Sequence, residues 1–292
     1  MQLPLVVGVD GSAQARRALD WAVDEAALHG VPLRLVFASK WERYEGVAAA
    51  GSPERPAEEI FADNLVGAAA EHAHLRNADV PLSVQVLAED TVTALLREGR
   101  YASALILGSK GRGEFADLLL GSVSLAVSAR ARCPVVVVRG DKAALDRSHE
   151  RILLGVGDPA KGADAVRYAF REAEARGCAL DAVRLWRCPA HETTDHPLIA
   201  DYPERYHEEQ ASLLLDKALD DIVDEHPTVH LRRVTAEGAA HKLLVRRSAA
   251  ADLLIVGARR RHGHHGLQLG RVGHAVLHHA ECPVAVVPQA QE

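Results

Sequence analysis

The segment GSKGRGEFADLLLGSV, residues 108–123, has the spacing in this chain that most suggests a chemical role. It follows the apolar run SALIL, and its small residues read G-x2-G-x9-G-S with Lys110 and Arg112 between them. A glycine lets the backbone turn tightly or approach a ligand without a Cβ, and the free amides at a helix start attract anions. Because two cations accompany these glycines, the pattern favours binding of a phosphate.

Each small residue in this segment has its own expected role. Gly108 ends an apolar strand and permits close approach, Gly111 permits a tight turn, and Gly121 begins a helix whose amides can meet an anion. Asp10 follows the first apolar run and is expected in the same crevice, where it can accept hydrogen bonds from a ribose or a base. Glycines after strands are common in α/β proteins, so the pattern alone leaves a purely structural role open. The chain lacks the GK[ST] of a P-loop and a G-x-G-x-x-G in its first βα turn, which argues against classical NAD binding.

The chain repeats itself at an offset of 149 residues. LLLGSVSLAVSARARCPVVVV at 118–138 aligns without gaps onto LQLGRVGHAVLHHAECPVAVV at 267–287, with twelve of the 21 positions identical. Such a repeat indicates two related domains, as does a prior of roughly 150 residues per domain. We expect these domains at 1–140 and 150–292, with a polar join between them.

Apolar strands alternate with amphipathic helices in each half. The first helix is expected to begin after Ser12 as N-cap and to end at Gly30, and another helix is expected near 58–77. The first-half strands are PLVVGVD, PLRLVFA, PLSVQVLA, SALILG and PVVVV, and the second-half strands lie near 152–156, 180–185, 229–235, 253–257 and 283–287. This alternation predicts an α/β fold of two tandem doubly wound, mostly parallel five-stranded sheets with helices on both faces.

Composition limits the classes of function. The net charge of -6 gives no bulk electrostatic reason to expect a nucleic-acid partner. No apolar run approaches the ~18 residues of a membrane span, and the N-terminus lacks the features of a signal peptide, so we expect a cytoplasmic protein with no membrane partner. The four cysteines form no C-x-x-C pair and are expected to be free thiols, with Cys133 and Cys282 packed in the core.

Taken together, the glycine motif, VGVDGS near the start and CPVVVV at the end of the first half resemble the universal stress protein family. The resemblance is to the ATP-binding branch in its tandem form, and it covers essentially the whole chain, twice. It implies a Rossmann-like, adenine nucleotide alpha-hydrolase-like fold. It also implies ATP as the bound nucleotide, with or without Mg²⁺, and a regulatory or sensory role in a stress response.

The resemblance further implies which residues contact the nucleotide in the first domain. The glycine loop would wrap the phosphates, while the ends of the first, second and fourth strands would line the nucleoside. The phosphate end would comprise Gly108, Gly111, Arg112, Gly121, Ser122 and Val123. The nucleoside end would comprise Val9, Asp10, Gly11, Ser12, Phe37, Ala38 and Leu107.

The second copy of the motif, GARRRHGHHGLQLGRV at 257–272, departs from this pattern. Gly257 and Gly270 keep the outer glycines and Val272 keeps the valine, but Arg260 and Arg271 replace the inner glycine and the serine. The position of Asp10 becomes Gly157. Two interpretations stay open: the second domain has lost ATP and serves as a structural partner, or its arginines, including Arg259 and Arg261, adapt the pocket to another anion or a differently posed nucleotide.

Histidines are concentrated in this same region. They comprise HGHH at 262–265, together with His274, His278 and His279. His274 and His278 are spaced i, i+4 and would share a helix face, which suits metal binding or a response near pH 6–7. Since no cysteine or carboxylate completes a ligand set, a solvated loop and helix face is the preferred interpretation, and we assign no metal site.

No nucleophile–base arrangement is apparent in the sequence, so we assign no catalytic residue. The main hypothesis is therefore a nucleotide-binding sensor or regulator, in which binding orders the 109–120 loop and changes a partner surface. The alternatives are a weak ATPase or nucleotide-dependent enzyme, and a scaffold without nucleotide. The apolar runs at 134–138 and 283–287 would be exposed edge strands, so we expect them to pair within the chain as a pseudo-dimer. Further association into a homodimer is left open.

Overall fold

The computed structural model describes residues 2–40, 57–110, 120–188, 203–258 and 269–289. The chain divides into two compact units, Met1–Arg139 and Gly140–Glu292. Each unit is an α/β domain built on five parallel strands, which confirms the predicted fold class.

The first unit alternates strands and helices along the chain. Its elements are β1 (Leu5–Gly8), α1 (Ala13–His29), β2 (Leu33–Ala38), α2 (Ala57–Arg76), β3 (Leu82–Leu87), α3 (Thr91–Glu98), β4 (Ala104–Gly108), α4 (Ser122–Arg130) and β5 (Val135–Val138). The strand order is β3-β2-β1-β4-β5, with all four neighbouring pairs parallel. The order therefore reverses at β1, which lies between β2 and β4.

Helices cover both faces of this sheet. Helix α1 packs on α2 and against β1 and β4, while α3 packs on α4. The central strands β1 and β4 are aliphatic, and Val6, Val7, Leu105 and Ile106 are completely buried. Burial of each such side chain stabilises the fold by about 1.5–3 kcal/mol. Because β1 and β4 are covered on both faces, they are apolar at every position.

The ends of α1 follow the local signals in the sequence. The Ser12 hydroxyl accepts a hydrogen bond from the Ala15 amide at 3.1 Å, and Gly30 closes the helix with φ 62°. Both roles are those predicted, because serine satisfies an orphan amide at a helix start and glycine tolerates the left-handed conformation at a helix end. The end of α1 leads directly into β2.

The second unit repeats the arrangement after a short helix. Its elements are α5 (Lys142–Leu145), β6 (Arg151–Gly155), α6 (Ala163–Arg176), β7 (Ala179–Trp186), α7 (Pro203–Val223), β8 (Leu231–Glu237), α8 (Ala240–Ser248), β9 (Leu253–Ala258), α9 (Arg271–His279) and β10 (Val284–Pro288). The strand order is β8-β7-β6-β9-β10, again with parallel pairs and a reversal, here at β6. A ligand crevice is expected at each reversal, beyond the carboxyl ends of the strands.

A buried aspartate secures the beginning of β6. Asp252 is 3% exposed. Its two carboxylate oxygens accept hydrogen bonds from the backbone amides of His149 at 3.0 Å and Arg151 at 3.1 Å. A buried carboxylate is costly unless it is hydrogen-bonded, and here both oxygens have donors. The sequence pattern gave no indication of this contact, which joins residues about a hundred positions apart.

Candidate functional site

The first-unit crevice begins where β1 ends. Gly11 has φ 80°, so the chain turns sharply before α1, and Asp10 accepts the Ser12 amide through Oδ1 at 2.9 Å. Asp10 is half-buried, and its Oδ2 has no hydrogen-bond partner among the residues that the structure describes. The carboxylate is thus held at the crevice with one oxygen available to accept a hydrogen bond.

A closing hydrogen bond brings the start of α4 back to the end of β4. The Gly121 amide donates to the Ser109 carbonyl at 2.8 Å, and the Ser124 hydroxyl donates to the Gly108 carbonyl at 2.7 Å. These bonds join the two ends of the glycine motif although eleven residues separate Ser109 from Gly121. The two described ends of the motif therefore lie together at the carboxyl edge of the sheet.

The start of α4 is suited to an anion. Gly121 occupies the N-cap position with φ -61° and ψ 141°, and no side chain caps the helix within the described part of the chain. Ser122 is exposed and Val123 is half-buried, so the amides of the first turn lie near the surface. Uncapped amides and the positive end of the helix dipole favour a phosphate at this place. Gly111 and Arg112 lie outside the described residues.

Gly108 has a packing reason to be glycine. A Cβ on this residue would lie 2.8 Å from the carbonyl carbon and oxygen of Gln14 and 3.0 Å from the Ala15 amide nitrogen. The close approach therefore involves the backbone of the first turn of α1, whereas the sequence suggested an approach to a ligand. The absence of a Cβ at Gly108 allows α1 to pack closely against β4. Because Asp10 directly precedes α1, this packing helps to position Asp10.

The residues predicted for the nucleoside end differ in accessibility. Val9 and Phe37 are 7% exposed and Leu107 is 3% exposed, so these three residues are buried at the ends of their strands, while Ala38 is half-buried. The Ala38 carbonyl already accepts a hydrogen bond from the Thr91 hydroxyl at 2.8 Å. That bond fixes the start of α3 beside the end of β2.

Asp90 lies beside the same contact between β2 and α3. It caps the start of α3 and forms an ion pair with Lys40 at 3.0 Å. The hydrogen bond from Lys40, followed by those from the Thr93 amide and hydroxyl, lowers the pKa of Asp90 from 3.8 to about 2. The ionised carboxylate is therefore favoured in the folded protein. Its stabilising effect is complete above about pH 4 and is lost as the pH falls towards 2.

Lys40→Met is expected to raise the pKa of Asp90 towards its ordinary value, because it removes the main interaction that favours the carboxylate. The titration of the Asp90 carboxyl carbon by NMR measures this directly. Lys142→Met is the matched control, since Lys142 lies near Asp146 instead. An unchanged Asp90 titration in Lys40→Met would contradict the role assigned to this ion pair.

The second unit has a cavity of about 900 Å³ at its own crevice. The four residues predicted for this unit, Gly257, Gly270, Arg271 and Val272, all line it. Arg271 begins α9, whose N-cap Gly270 has φ -64° and, like Gly121, no capping side chain within the described residues. The predicted positions are thus brought together around an open space, whereas Arg259, Arg260 and Arg261 fall outside the described residues.

Gly257 is glycine for a different reason from Gly108, with which it aligns. A Cβ at Gly257 would lie 2.8 Å from the side-chain nitrogen of Gln289, a residue that follows β10. The side chain of Gln289 therefore lies against the end of β9. Gly108 and Gly257 align in the repeat, yet they lie against different neighbours, a backbone in one unit and a side chain in the other. The sequence repeat alone could not show this difference.

The predicted histidine face on α9 is present. The rings of His274 and His278 stack with centroids 4.3 Å apart and an interplanar angle of 25°. This geometry confirms the i, i+4 neighbours on one face. The HGHH segment at 262–265 lies outside the described residues.

Comparisons with known proteins address the family directly. The sequence model of the universal stress protein family matches residues 1–139 and again residues 149–288. The universal stress protein Rv2005c of Mycobacterium tuberculosis H37Rv is 33% identical over 294 residues, covering 98% of this chain and 97% of the relative. A universal stress protein of Mycolicibacterium smegmatis is 30% identical over 292 residues, covering 97% and 96%.

A solved structure supports the fold over the full length. A universal stress protein from Archaeoglobus fulgidus DSM 4304 aligns with a TM-score of 0.66 at 19% identity, covering 98% of both chains. None of the helices in the described parts of the chain has the length and apolarity needed to cross a bilayer. The two family matches and the full-length relatives lead to one conclusion: the chain belongs to the universal stress protein family and carries two tandem domains of that family.

Proposed function

We propose that the first unit binds ATP and that the protein is a nucleotide-dependent regulator of a stress response. The observation that carries this proposal is the hydrogen bond from the Gly121 amide to the Ser109 carbonyl, which sets the uncapped start of α4 at the edge of the sheet that also holds Asp10. One feature suits a phosphate, and the other is an acceptor for a ribose or base.

We base the assignment of individual contacts on this geometry together with the family resemblance. The amides at the start of α4 would receive the phosphates, with Gly108, Gly111, Gly121, Ser122 and Val123 shaping the loop as the family resemblance implies. Asp10 would accept from the nucleoside above a floor of Val9, Phe37 and Leu107, which are buried. Lys110 and Arg112 would offset the phosphate charge, and Mg²⁺, where present, would bind through the phosphates.

The protein would act as a binding protein, and a partner would recognise its nucleotide-bound and nucleotide-free states. The cytoplasmic location, the pairing of the strands near 134–138 and 283–287, and a homodimer stay predictions. Chemical cross-linking of purified protein followed by mass measurement would test the homodimer.

The nucleotide released from purified protein by denaturation tests the proposal, with mass spectrometry as the readout. We expect one equivalent of adenine nucleotide per chain, because the phosphate and nucleoside features combine in the first unit. Two equivalents would contradict a single adenine site. Absence of released nucleotide, together with no calorimetric signal on adding ATP, would leave the scaffold hypothesis as the better one.

A further inference from the structure

The cavity of the second unit differs chemically from the first-unit crevice at its nucleoside end. Strand registers define the correspondence: Gly8 lies beside Val36 on β2, and Gly155 lies beside Val183 on β7. The next residue on the neighbouring strand is Phe37 in the first unit and Arg184 in the second. A guanidinium therefore takes the place of an aromatic ring.

Arg184 is held at the cavity by its neighbours. It lines the cavity, is half-buried and donates a hydrogen bond through Nη1 to the carbonyl of Gly157, the residue that corresponds to Asp10. Burial lowers the pKa of Arg184, and the nearby carboxylate of Asp158 acts in the opposite direction. Arginine nonetheless stays charged in proteins. Its other N–H groups have no hydrogen-bond partner among the described residues, so they are available to a ligand.

The charge of the lining favours an anion. Of the described lining residues, Lys161, Arg184 and Arg271 are cationic, and Asp158 is the one carboxylate. The Asp158 carboxylate accepts the Ala160 amide at 3.2 Å and caps a short turn. No aromatic side chain occurs in the described part of the lining, which is otherwise mostly aliphatic. A base would find no aromatic ring on which to stack among these residues, and Gly157 offers no carboxylate at the position of Asp10.

Gln289 provides an independent sign of a ligand. The residue is 5% exposed and lines the cavity, and its side-chain nitrogen donates a hydrogen bond to the Val287 carbonyl at 2.9 Å. Its side-chain oxygen is buried and has no hydrogen-bond partner in the described parts of the chain. A buried acceptor without a donor is destabilising, so a ligand hydroxyl that donates to this oxygen would be favoured.

The spacing of these groups indicates the form of the ligand. Arg184 lies at the end of β7 and α9 follows β9, with β6 between the two strands. Strands β7 and β9 are two strand spacings apart, so Arg184 and the start of α9 are separated by about 10 Å. An anion at the uncapped start of α9 and a second anion at Arg184 would therefore lie at opposite ends of one small molecule, with hydroxyl groups between them.

We propose that the second unit binds a small organophosphate that carries a second anionic group, in preference to an adenine nucleotide. Its phosphate lies at Gly270 and Arg271, its second anion lies at Arg184, and a hydroxyl donates to Gln289. This site is independent of the adenine-nucleotide site proposed for the first unit.

Calorimetric titration of the full chain tests the proposal with a matched pair of ligands. Fructose 1,6-bisphosphate carries two phosphates, and fructose 6-phosphate lacks one of them. We expect the bisphosphate to bind about tenfold more tightly or better, because a hydrogen bond to a charged group contributes about that factor. Arg184→Met should remove most of this preference while leaving the affinity for the monophosphate unchanged.

Two aspartate variants assign the signal to its unit. Gly270→Asp places a carboxylate at the start of α9 and should abolish binding of both sugar phosphates, whereas Gly121→Asp in the first unit should leave both unaffected. Conversely, ATP binding should be lost in Gly121→Asp and retained in Gly270→Asp, which separates this proposal from the one made for the first unit.

Three results would overturn the proposal. Equal affinities for the two sugar phosphates in the unmodified protein would remove the role of the second anion, and this comparison needs no variant to fold. Absence of binding of either ligand at millimolar concentration would remove the organophosphate class. Tighter binding of ATP than of the bisphosphate by Gly121→Asp would show that the second unit is itself an adenine-nucleotide site.

Discussion

Gly121→Asp should reduce the affinity for ATP by about a hundredfold or more. The new carboxylate would lie at the N-cap of α4, where the phosphates are proposed to bind. Two like charges about 4 Å apart repel by about 4 kcal/mol at an effective dielectric constant of about 20, which corresponds to roughly a thousandfold in affinity. Calorimetric titration of the full chain with ATP measures the effect.

The fold should tolerate this substitution. Gly121 has φ -61° and ψ 141°, an extended conformation accessible to any residue, and aspartate is among the preferred N-cap residues. A loss of ATP binding would therefore reflect the site rather than unfolding, and a thermal melt verifies this.

Gly270→Asp is the matched control in the second unit. Gly270 is the N-cap of α9 with a similar conformation, and a Cβ there meets no atom within 4 Å. We expect its ATP affinity to stay within about twofold of the unmodified protein. Equal losses in both variants would place adenine nucleotide in both units, and undiminished binding in Gly121→Asp would remove the proposed site.

Gly108→Ala should destabilise the first unit by about 3 kcal/mol. The added Cβ would lie 2.8 Å from the backbone of Gln14, which cannot move without shifting α1 away from β4. Overpacking of a core costs about 1–3 kcal/mol, and a rigid backbone neighbour places this case at the upper end. Hydrogen exchange should be faster in β1 and β4, and the thermal midpoint should fall.

Gly257→Ala is the control at the aligned position of the second unit. Its Cβ would also meet an atom at 2.8 Å, but that atom is the side-chain nitrogen of Gln289, which can rotate aside. We expect a cost of about 1 kcal/mol, at the lower end of the range for overpacking. If the two variants were equally destabilised, the distinction between a backbone neighbour and a flexible one would be wrong.

The two units share a framework and differ at the ends of their strands. In both, a parallel sheet reverses order at one strand, and a helix with a glycine N-cap starts beside the resulting crevice. The replacement of Phe37 by Arg184 and of Asp10 by Gly157 changes what each crevice can recognise. We therefore propose that the two copies of one scaffold bind two different classes of anion.

Much of the fold could be predicted from the sequence. Aliphatic runs in the central strands, alternating with helices, indicated parallel strands covered on both faces, and local caps at Ser12 and Gly30 marked the ends of α1. These features depend on residues within a few positions of one another, so periodicity and composition suffice to reveal them. The repeat and the glycine motif indicated the family and directed attention to Asp10 and the start of α4.

The details of the candidate sites required the tertiary structure. Gly108 contacts the start of α1, Gly257 contacts Gln289, and Asp252 secures the start of β6, all across separations that no local pattern records. Sequence alone determined the tandem α/β architecture and the place of the glycine loop, because these follow from local apolar periodicity. Only the tertiary structure decided which side chains face each crevice, because strand register and long-range packing bring residues distant in the sequence into contact.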